Sequence, residues 1–438
     1  MSRINKTYYL DFTGCYRAHV DAELICAELD QAGYKSLNSP ENAEFLIFLG
    51  CSFIELAREE SIQRILELSA IKNDQAVLIA GGCLFRRHQK ELKKYLTEVD
   101  LWVNGSNPQD FLGTIQKGRE LSQPQIFPAI SGKRSYIGSP HYAYVKISEG
   151  CRNNCSYCAI PHIRGKHRSR PAGDIVDEII ELQQDGVKEV ILVAQDSTSY
   201  GVVQENNTDL ISLLTQIESV LEKEVKYRLL YLHPQGLSTS LFEFIAGSDK
   251  ILKMLEIPIQ HVSDRILTKM NRNYSGDDLE KLFSQIKSII PEAGLRTTLL
   301  SGFPGETIAD HEKLTEFIKQ FKFQRLGVFS YSREENTSAG SFSGQISAPV
   351  KKKRKLELND IAEQIMQEED KNRIGKKIPA IVDGFYLNYP VVRTDWDLPE
   401  IDKVVLIRGS DKLDTGQWIT IKLTEVDDHQ IWGEVDEQ

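Results

Sequence analysis

Seven cysteines carry most of the chemical potential of this 438-residue chain: Cys15, Cys26, Cys51, Cys83, Cys151, Cys155 and Cys158. An odd count in a long chain argues against a disulfide framework and for metal ligation or reactive thiols. Three of them fall close together, in Cys151-Arg-Asn-Asn-Cys155-Ser-Tyr-Cys158. Soft thiolates at that spacing suit an iron–sulfur cluster. With three protein ligands, a four-iron cluster keeps one iron open to a small molecule that binds through amine and carboxylate groups. The alternative is a zinc site, which wants a fourth ligand, and His162 or His167 would have to supply it.

Three further cysteines share a different pattern. Cys15 follows Phe-Thr-Gly, Cys51 follows Phe-Leu-Gly and Cys83 follows Ala-Gly-Gly. Each stands after a strand-like run and a glycine, at the start of a loop that leads to a helix. In a parallel sheet such loops gather at one edge, beyond the carboxyl ends of the strands. Gly14, Gly50 and Gly82 permit close backbone approach there. Cys15, Cys51 and Cys83 are therefore expected to converge as a second ligand set, whereas Cys26 lies inside a helical pattern and is read as core packing.

The elements that would position these groups follow from periodicity. Residues 1–125 alternate apolar runs (Thr7–Phe12, Phe45–Leu49, Val77–Ala80) with helical patterns (Ala18–Ala32, Glu55–Ile71, Glu91–Leu96), which is the signature of a parallel α/β domain. Residues 126–141, rich in Pro, Gly and Ser, read as a linker. Within 142–374, six probable strands alternate with helices: Tyr144–Ser148, Val190–Gln195, Tyr227–Leu232, Met254–Ile259, Leu295–Gly302 and Leu326–Tyr331. That order predicts a partial (β/α)6 barrel, with ligands at the carboxyl ends of its strands. Lys351–Lys371 reads as a charged helix. Residues 375–438 show short strands with turns, expected to form a small all-β, OB-like module.

Composition sets outer limits. An apolar content of 41% is ordinary for a globular protein. No apolar run approaches the roughly 20 residues of a membrane helix, and MSRINKTYYL lacks the apolar core of a signal peptide. A cytoplasmic location, without membrane association, is expected. A net charge of −10 disfavours broad electrostatic binding to nucleic acid.

Cys-x-x-x-Cys-x-Tyr-Cys resembles the signature of the radical S-adenosylmethionine (SAM) enzymes. Lys146–Cys151 and Ala159-Ile-Pro-His-Ile-Arg-Gly-Lys-His-Arg-Ser-Arg-Pro171, with the three N-terminal cysteines, resemble the methylthiotransferases of that superfamily. The likeness spans essentially the whole chain, including a C-terminal TRAM domain. One branch of the family modifies an adenosine in tRNA, the other an aspartate of a small-subunit ribosomal protein. Gln195–Gly201, Ile257–Asp264, Tyr331–Thr337, Leu398–Asp402 and Ile431–Val435 resemble the second, the ribosomal protein aspartate methylthiotransferases. The chain departs from that branch after Cys15, where Tyr-Arg-Ala replaces Pro-Lys-Asn, and around Cys51, where Leu-Gly-Cys-Ser replaces Asn-Thr-Cys-Gly.

The resemblance implies two [4Fe-4S] clusters and SAM as cofactors. The cluster at Cys151, Cys155 and Cys158 binds SAM and cleaves it to a radical that takes hydrogen from the aspartate β-carbon. The cluster at Cys15, Cys51 and Cys83 delivers a methylated sulfur, with flavodoxin or ferredoxin as electron donor. Tyr157, Gln195, Asp196, Gly302, Gly305 and Glu306 are the expected SAM contacts, and His233, His261 and Arg296 are candidates for the pocket. Charge favours the ribosomal branch, because residues 375–438 hold thirteen acidic side chains against seven lysines and arginines. Such a surface suits a basic protein better than RNA. Nucleic acid is not a required partner on this reading; a tRNA adenosine, or another protein or peptide, stays open as acceptor.

Overall fold

The apolar runs of the N-terminal third become the middle of a parallel sheet. Strands Thr7–Phe12 (β1), Lys35–Ser36 (β2), Phe45–Gly50 (β3), Val77–Gly81 (β4) and Leu101–Trp102 (β5) stand in the order β2-β1-β3-β4-β5, each neighbour parallel. Helices Tyr16–Gln31 (α1), Glu55–Ile71 (α2), Gly82–Tyr95 (α3) and Pro108–Lys117 (α4) complete the unit. This is a computed structural model, and it describes residues 6–120, 134–202, 208–409, 412–427 and 430–436. The helix expected at Glu91–Leu96 is the tail of α3. Its earlier turns hold Arg86-Arg87-His88-Gln89-Lys90, whose polarity hides the apolar period, and His88 leaves helical geometry (φ −122°, ψ 29°). Helix α4 carries its own start signal, because the Asn107 side chain accepts from Gln109 N and Pro108 takes the first turn.

Of the expected linker, residues 126–133 lie outside the described residues. The remainder is tied down. Arg134 is buried and donates to Glu23 at 3.2 Å and to Tyr144 O at 2.6 Å, and it pairs with Glu178. Ile137 N donates to the other oxygen of Glu23.

The central unit opens with Tyr142–Lys146 (β6), the short hairpin pair Ser148–Glu149 (β7) and Arg168–Ser169 (β8), helix Ile160–Arg164 (α5) between them, and Ala172–Gln184 (α6). It continues through Glu189–Val193 (β9), Leu210–Val220 (α7), Lys226–Leu229 (β10), Thr239–Gly247 (α8), Met254–Glu256 (β11), Asp264–Lys269 (α9) and Gly276–Ile289 (α10). Gly294–Ser301 (β12), Ile308–Phe321 (α11), Arg325–Ser330 (β13) and Ala348–Lys371 (α12) follow. Two parallel sheets, β10-β9-β6 and β11-β12-β13, meet where Leu232 N donates to Glu256 O and Leu252 N to Tyr227 O. Together they form an open six-stranded arc with helices outside. The arc's core, from Val145 and Leu192 to Phe283 and Phe317, is fully buried or nearly so.

The concave side of the arc is filled by α1. Val20 and Leu24 pack among Tyr144, Ile191, Val193, Leu230 and Met254, and Tyr16 stacks on Tyr144 with ring centroids 4.4 Å apart. The N-terminal unit therefore docks into the barrel, with the first turn of α1, and with it Cys15, aimed toward the barrel mouth.

Strands Lys377–Tyr386 (β14), Tyr389–Thr394 (β15), Val405–Arg408 (β16), Trp418–Val426 (β17) and Ile431–Val435 (β18) close into a barrel in the order β14-β15-β16-β18-β17. Leu398, just beyond β15, joins the apolar cluster inside the arc. Much of this unit's acidity is spent on that junction. Asp395 pairs with Arg373 at 2.5 Å, Asp397 with Arg325 at 2.5 Å and Asp402 with Arg296, while Asp383 binds Arg393 and His141. The net negative charge is thus partly internal and overstates what the outer surface shows a partner. Trp418 donates to Lys188 O, and Trp396 lies under the Arg373 guanidinium at 3.6 Å, so both indoles serve the junction. Trp432 lies on the outer side, edge-on to Tyr389 and beneath Arg408. No helix among the described residues is long and apolar enough to cross a membrane.

Candidate functional site

Cys15 caps α1, separated from β1 by Thr13 and Gly14; its carbonyl accepts from Ala18 N and His19 N. Cys51 follows β3, and its amide donates to Ser61 Oγ at 2.9 Å and Thr13 Oγ1 at 3.2 Å. Cys83 is the second residue of α3, after β4. Because β1, β3 and β4 are adjacent and parallel, the three loops meet at one sheet edge. The approach is close enough to dictate the glycines. A Cβ on Gly14, whose φ is +119°, would lie 3.1 Å from Cys51 Cβ and 3.3 Å from its Sγ. A Cβ on Gly82 would lie 2.9 Å from Gly50 O. All seven cysteines are free thiols. Burial lifts the Cys51 thiol to about 11, with the charges of Cys83 and Cys15 adding to it, which records how near the three stand.

The second triplet is held by a single loop. Cys151 N donates to Gly165 O at 3.2 Å, Cys158 N to Cys155 O at 3.1 Å and Ser156 N to Met270 O at 3.0 Å. Gly150 has φ +74°, and a Cβ there would overlap Lys166 O at 2.2 Å. Asn153 braces the loop by donating to Asp196 Oδ2 at 2.7 Å. Burial raises Cys151 to about 11 and Cys158 to about 12. Among the described residues no three His, Cys, Asp or Glu side chains gather tightly enough to hold one metal ion. A tetrahedral zinc would need its donors within about 2.0–2.3 Å of one centre. A polynuclear cluster binds each thiolate through a different iron and holds them further apart. Three soft donors per group fit such a cluster at either place.

The expected SAM contacts divide in two. Asp196 is buried with its oxygens engaged by Asn153, Thr198 and Ser199, so it shapes the cysteine loop. Glu306 accepts from Gly302 N at 2.6 Å and Phe303 N at 3.1 Å and pairs with Arg354, so it shapes the glycine turn from behind. Gly302 and Gly305 have φ of +76° and +81°. Tyr157 is held through its hydroxyl by Arg272 at 2.7 Å. Gln195 donates to Glu149 at 2.7 Å and leaves its buried Oε1 without a partner. His233 and His261 are drawn down to about 4 and about 3 by burial; each accepts backbone N–H bonds on Nδ1, and both are neutral near pH 7. Arg296 pairs with Asp402 at the C-terminal junction.

Unpaired buried atoms ring the barrel mouth. Ser148 Oγ follows β6, Gln195 Oε1 follows β9 and Ser301 Oγ ends β12, all without a hydrogen-bond partner. Buried polar groups are normally paired, so these orphans at the ends of barrel strands leave hydrogen-bonding capacity there for a polar ligand.

A charged cluster that sequence reasoning did not single out joins the two triplets. Arg164, six residues after Cys158, donates through Nε to Cys83 Sγ at 3.1 Å and through Nη1 to Asp21 at 3.0 Å and Glu149 at 3.2 Å. Lys146 pairs with the same two acids. Burial would raise Glu149, but Arg164, Lys146 and Arg17 outweigh it and hold its carboxyl at about 2. Likewise burial raises the Cys15 thiol, while Arg17 and Arg164 overcome it and leave it below the ordinary thiol range. Arg164 lies inside the Ala159–Pro171 motif and Arg17 two residues after Cys15, so both were in view; pairing across units separated by more than a hundred residues was not.

Comparison with known proteins gives the following. The Radical SAM superfamily matches residues 145–318, the Uncharacterized protein family UPF0004 residues 7–104, and the TRAM domain residues 374–435. The Ribosomal protein uS12 methylthiotransferase RimO of Thermoanaerobacter sp. (strain X514) is 38% identical over 429 residues, covering 96% of this chain and 98% of that protein. The protein of the same name from Thermotoga maritima is 36% identical over 425 residues, covering 96% and 98%. Among solved structures, the radical S-adenosylmethionine methyltransferase TsrM from Kitasatospora setae superposes with TM-score 0.55 at 13% identity, over 77% of each chain. That is a likeness of fold.

Proposed function

Since the chain belongs to the family of radical SAM methylthiotransferases named for ribosomal protein uS12, we propose that it inserts a methylthio group at the β-carbon of an aspartate in that protein. The observation that carries this reading is the junction of the two cysteine triplets: Arg164 follows one set and donates to Cys83 of the other. A reaction that takes hydrogen from a carbon at one centre and gives it sulfur from another needs both within reach of one atom.

Cys151, Cys155 and Cys158 would hold one [4Fe-4S] cluster, and Cys15, Cys51 and Cys83 the other. When bound, the first with SAM supplies the one-electron chemistry that opens an unactivated C–H bond, and the second supplies sulfur. The chain's own residues set the stage. Tyr157, Gln195, Gly302 and Gly305 border the SAM position, with Asp196 and Glu306 fixing the loops behind it. Helix α1 fills the concave side of the arc and keeps water from that side, and the Asp21–Lys146–Glu149–Arg164 cluster fixes the distance between the triplets. A flavodoxin or ferredoxin would deliver the electron, and a ribosomal acceptor supports a cytoplasmic location.

The test is incubation of the reconstituted enzyme with SAM and reductant, separately with purified uS12 and with tRNA, followed by mass analysis. The expected product is uS12 heavier by one methylthio group at an aspartate, with tRNA unchanged. Modified tRNA with unmodified uS12 would overturn the assignment.

A further inference from the structure

Arg17 stands between the two cysteine triplets with part of its guanidinium unused. It belongs to the first turn of α1, two residues after Cys15. Its Nη1 donates to Ala194 O at 2.5 Å, the residue before Gln195 at the end of β9, and its guanidinium lies 5.2 Å over the Tyr231 ring beyond β10. Arg17 is only 8% exposed, yet its Nε has no partner. A buried donor left unpaired is costly, and more so when it belongs to a charged group.

The neighbouring cations already hold carboxylate partners. Arg164 is divided between Asp21, Glu149 and Cys83, and Lys146 between Asp21 and Glu149, while Arg296 is paired with Asp402 although its own Nε is also left without a partner. Among the described residues no carboxylate hydrogen-bonds or forms an ion pair with Arg17, although Glu149 and Glu256 feel its charge without touching it. Tyr231, whose ring supports it, has φ +60°, a conformation rare for a bulky residue and frequent at functional sites.

A guanidinium fork matches a carboxylate. In an aspartate the carboxylate carbon is bonded directly to the β-carbon that must lie between the two triplets. We propose that Arg17 is the receptor for the side-chain carboxylate of the acceptor aspartate, holding its β-carbon between the two cysteine sets. This rests on the uS12 reading above, and it assigns to Arg17 the choice of aspartate over its uncharged isostere asparagine.

The experiment uses the reconstituted holoenzyme, wild type and R17Q and R17K, with uS12 carrying either Asp or Asn at the acceptor position located in the wild-type product. Two quantities are read: kcat/KM, and equilibrium binding of labelled uS12 in the presence of SAM. Wild type should prefer Asp over Asn by on the order of 10²-fold in kcat/KM, as expected for one partner of a buried charge pair, with a preference of the same sense in binding. R17Q should lose that preference by losing the Asp substrate alone, and R17K should recover part of it. If wild type yields no product on uS12, the uS12 reading fails and takes this proposal with it. If wild type modifies uS12 and R17Q keeps the Asp preference, the proposal alone is overturned. Loss of iron or of SAM affinity in R17Q would assign Arg17 to a cofactor and equally overturn it.

Discussion

The two cysteine triplets reach a similar end by opposite routes. Cys151, Cys155 and Cys158 sit on one loop, and local hydrogen bonds such as Cys151 N to Gly165 O hold them. Cys15, Cys51 and Cys83 come from three loops and exist as a group only because β1, β3 and β4 are adjacent and parallel. The first site is a property of a segment, the second of a fold. The contiguous site should survive local damage to the N-terminal sheet, while the assembled one should fail with any change that spoils strand order or close approach.

The largest effects come from removing each set. Replacing Cys151, Cys155 and Cys158 together with Ala should abolish SAM cleavage and remove about half of the roughly eight irons expected for two four-iron clusters. Replacing Cys15, Cys51 and Cys83 should remove the other half and stop methylthio transfer while SAM cleavage continues. The measurements are iron and sulfide content and product analysis after anaerobic reconstitution. SAM cleavage surviving the first variant, or thio-transfer surviving the second, would erase the division of labour.

What could be read in advance follows the same contrast. The contiguous motif was legible from spacing alone. The assembled set was legible only because strand, glycine and cysteine recur three times, a pattern that fixes the sheet edge without long-range information. Arg164 and Asp21 were unreadable as partners, since nothing in either segment records a hydrogen bond spanning 143 positions. The acidic C-terminal unit misled for a related reason. Composition counts Asp395, Asp397 and Asp402 as surface charge, whereas docking pairs them with Arg373, Arg325 and Arg296. The barrel strands were placed to within a few residues because alternating β and α periods are local. Strand β15, Tyr389-Pro-Val-Val-Arg-Thr394, is poorly legible, because a proline interrupts it at its second residue and only Val391 and Val392 are aliphatic.

Single glycines sharpen the contrast at intermediate size. Gly150→Ala would drive a Cβ into the Lys166 carbonyl, 2.2 Å away and part of the backbone, so the cysteine loop must move. SAM cleavage should fall at least tenfold with the N-terminal iron retained. Gly14→Ala meets Cys51 at 3.1 Å and forces φ +119° on an alanine, a strain of about 1–3 kcal/mol. It should lower iron at the N-terminal set while SAM cleavage is kept. Iron per site, read from each glycine variant in the background of the opposite triple-cysteine variant, decides it. Equal losses at both sites would mean that the sites are not independent.

The smallest effect is one of order rather than of loss. In the metal-free protein each thiol is alkylated in proportion to its thiolate fraction and access. The Cys15 thiol lies below the ordinary range because Arg17 and Arg164 outweigh its burial. Burial places Cys51 and Cys151 at about 11, and Cys158 and Cys26 at about 12. A lowered value means thiolate at lower pH, so as pH rises from 6 to 10 iodoacetamide should label Cys15 first. Cys26 should be last, because besides its raised value it is 6% exposed among Ala22, Ile25 and Leu29 in the sheet–helix core. Peptide mapping by mass at each pH reads the order directly. Arg164→Gln should raise the Cys15 thiol and delay its labelling, since it removes one of the two cations that hold it down. Early labelling of Cys26 would contradict the core position that separates it from the six proposed ligands. An unchanged Cys15 in Arg164→Gln would show that the charged junction between the two triplets does not act on the sulfur side.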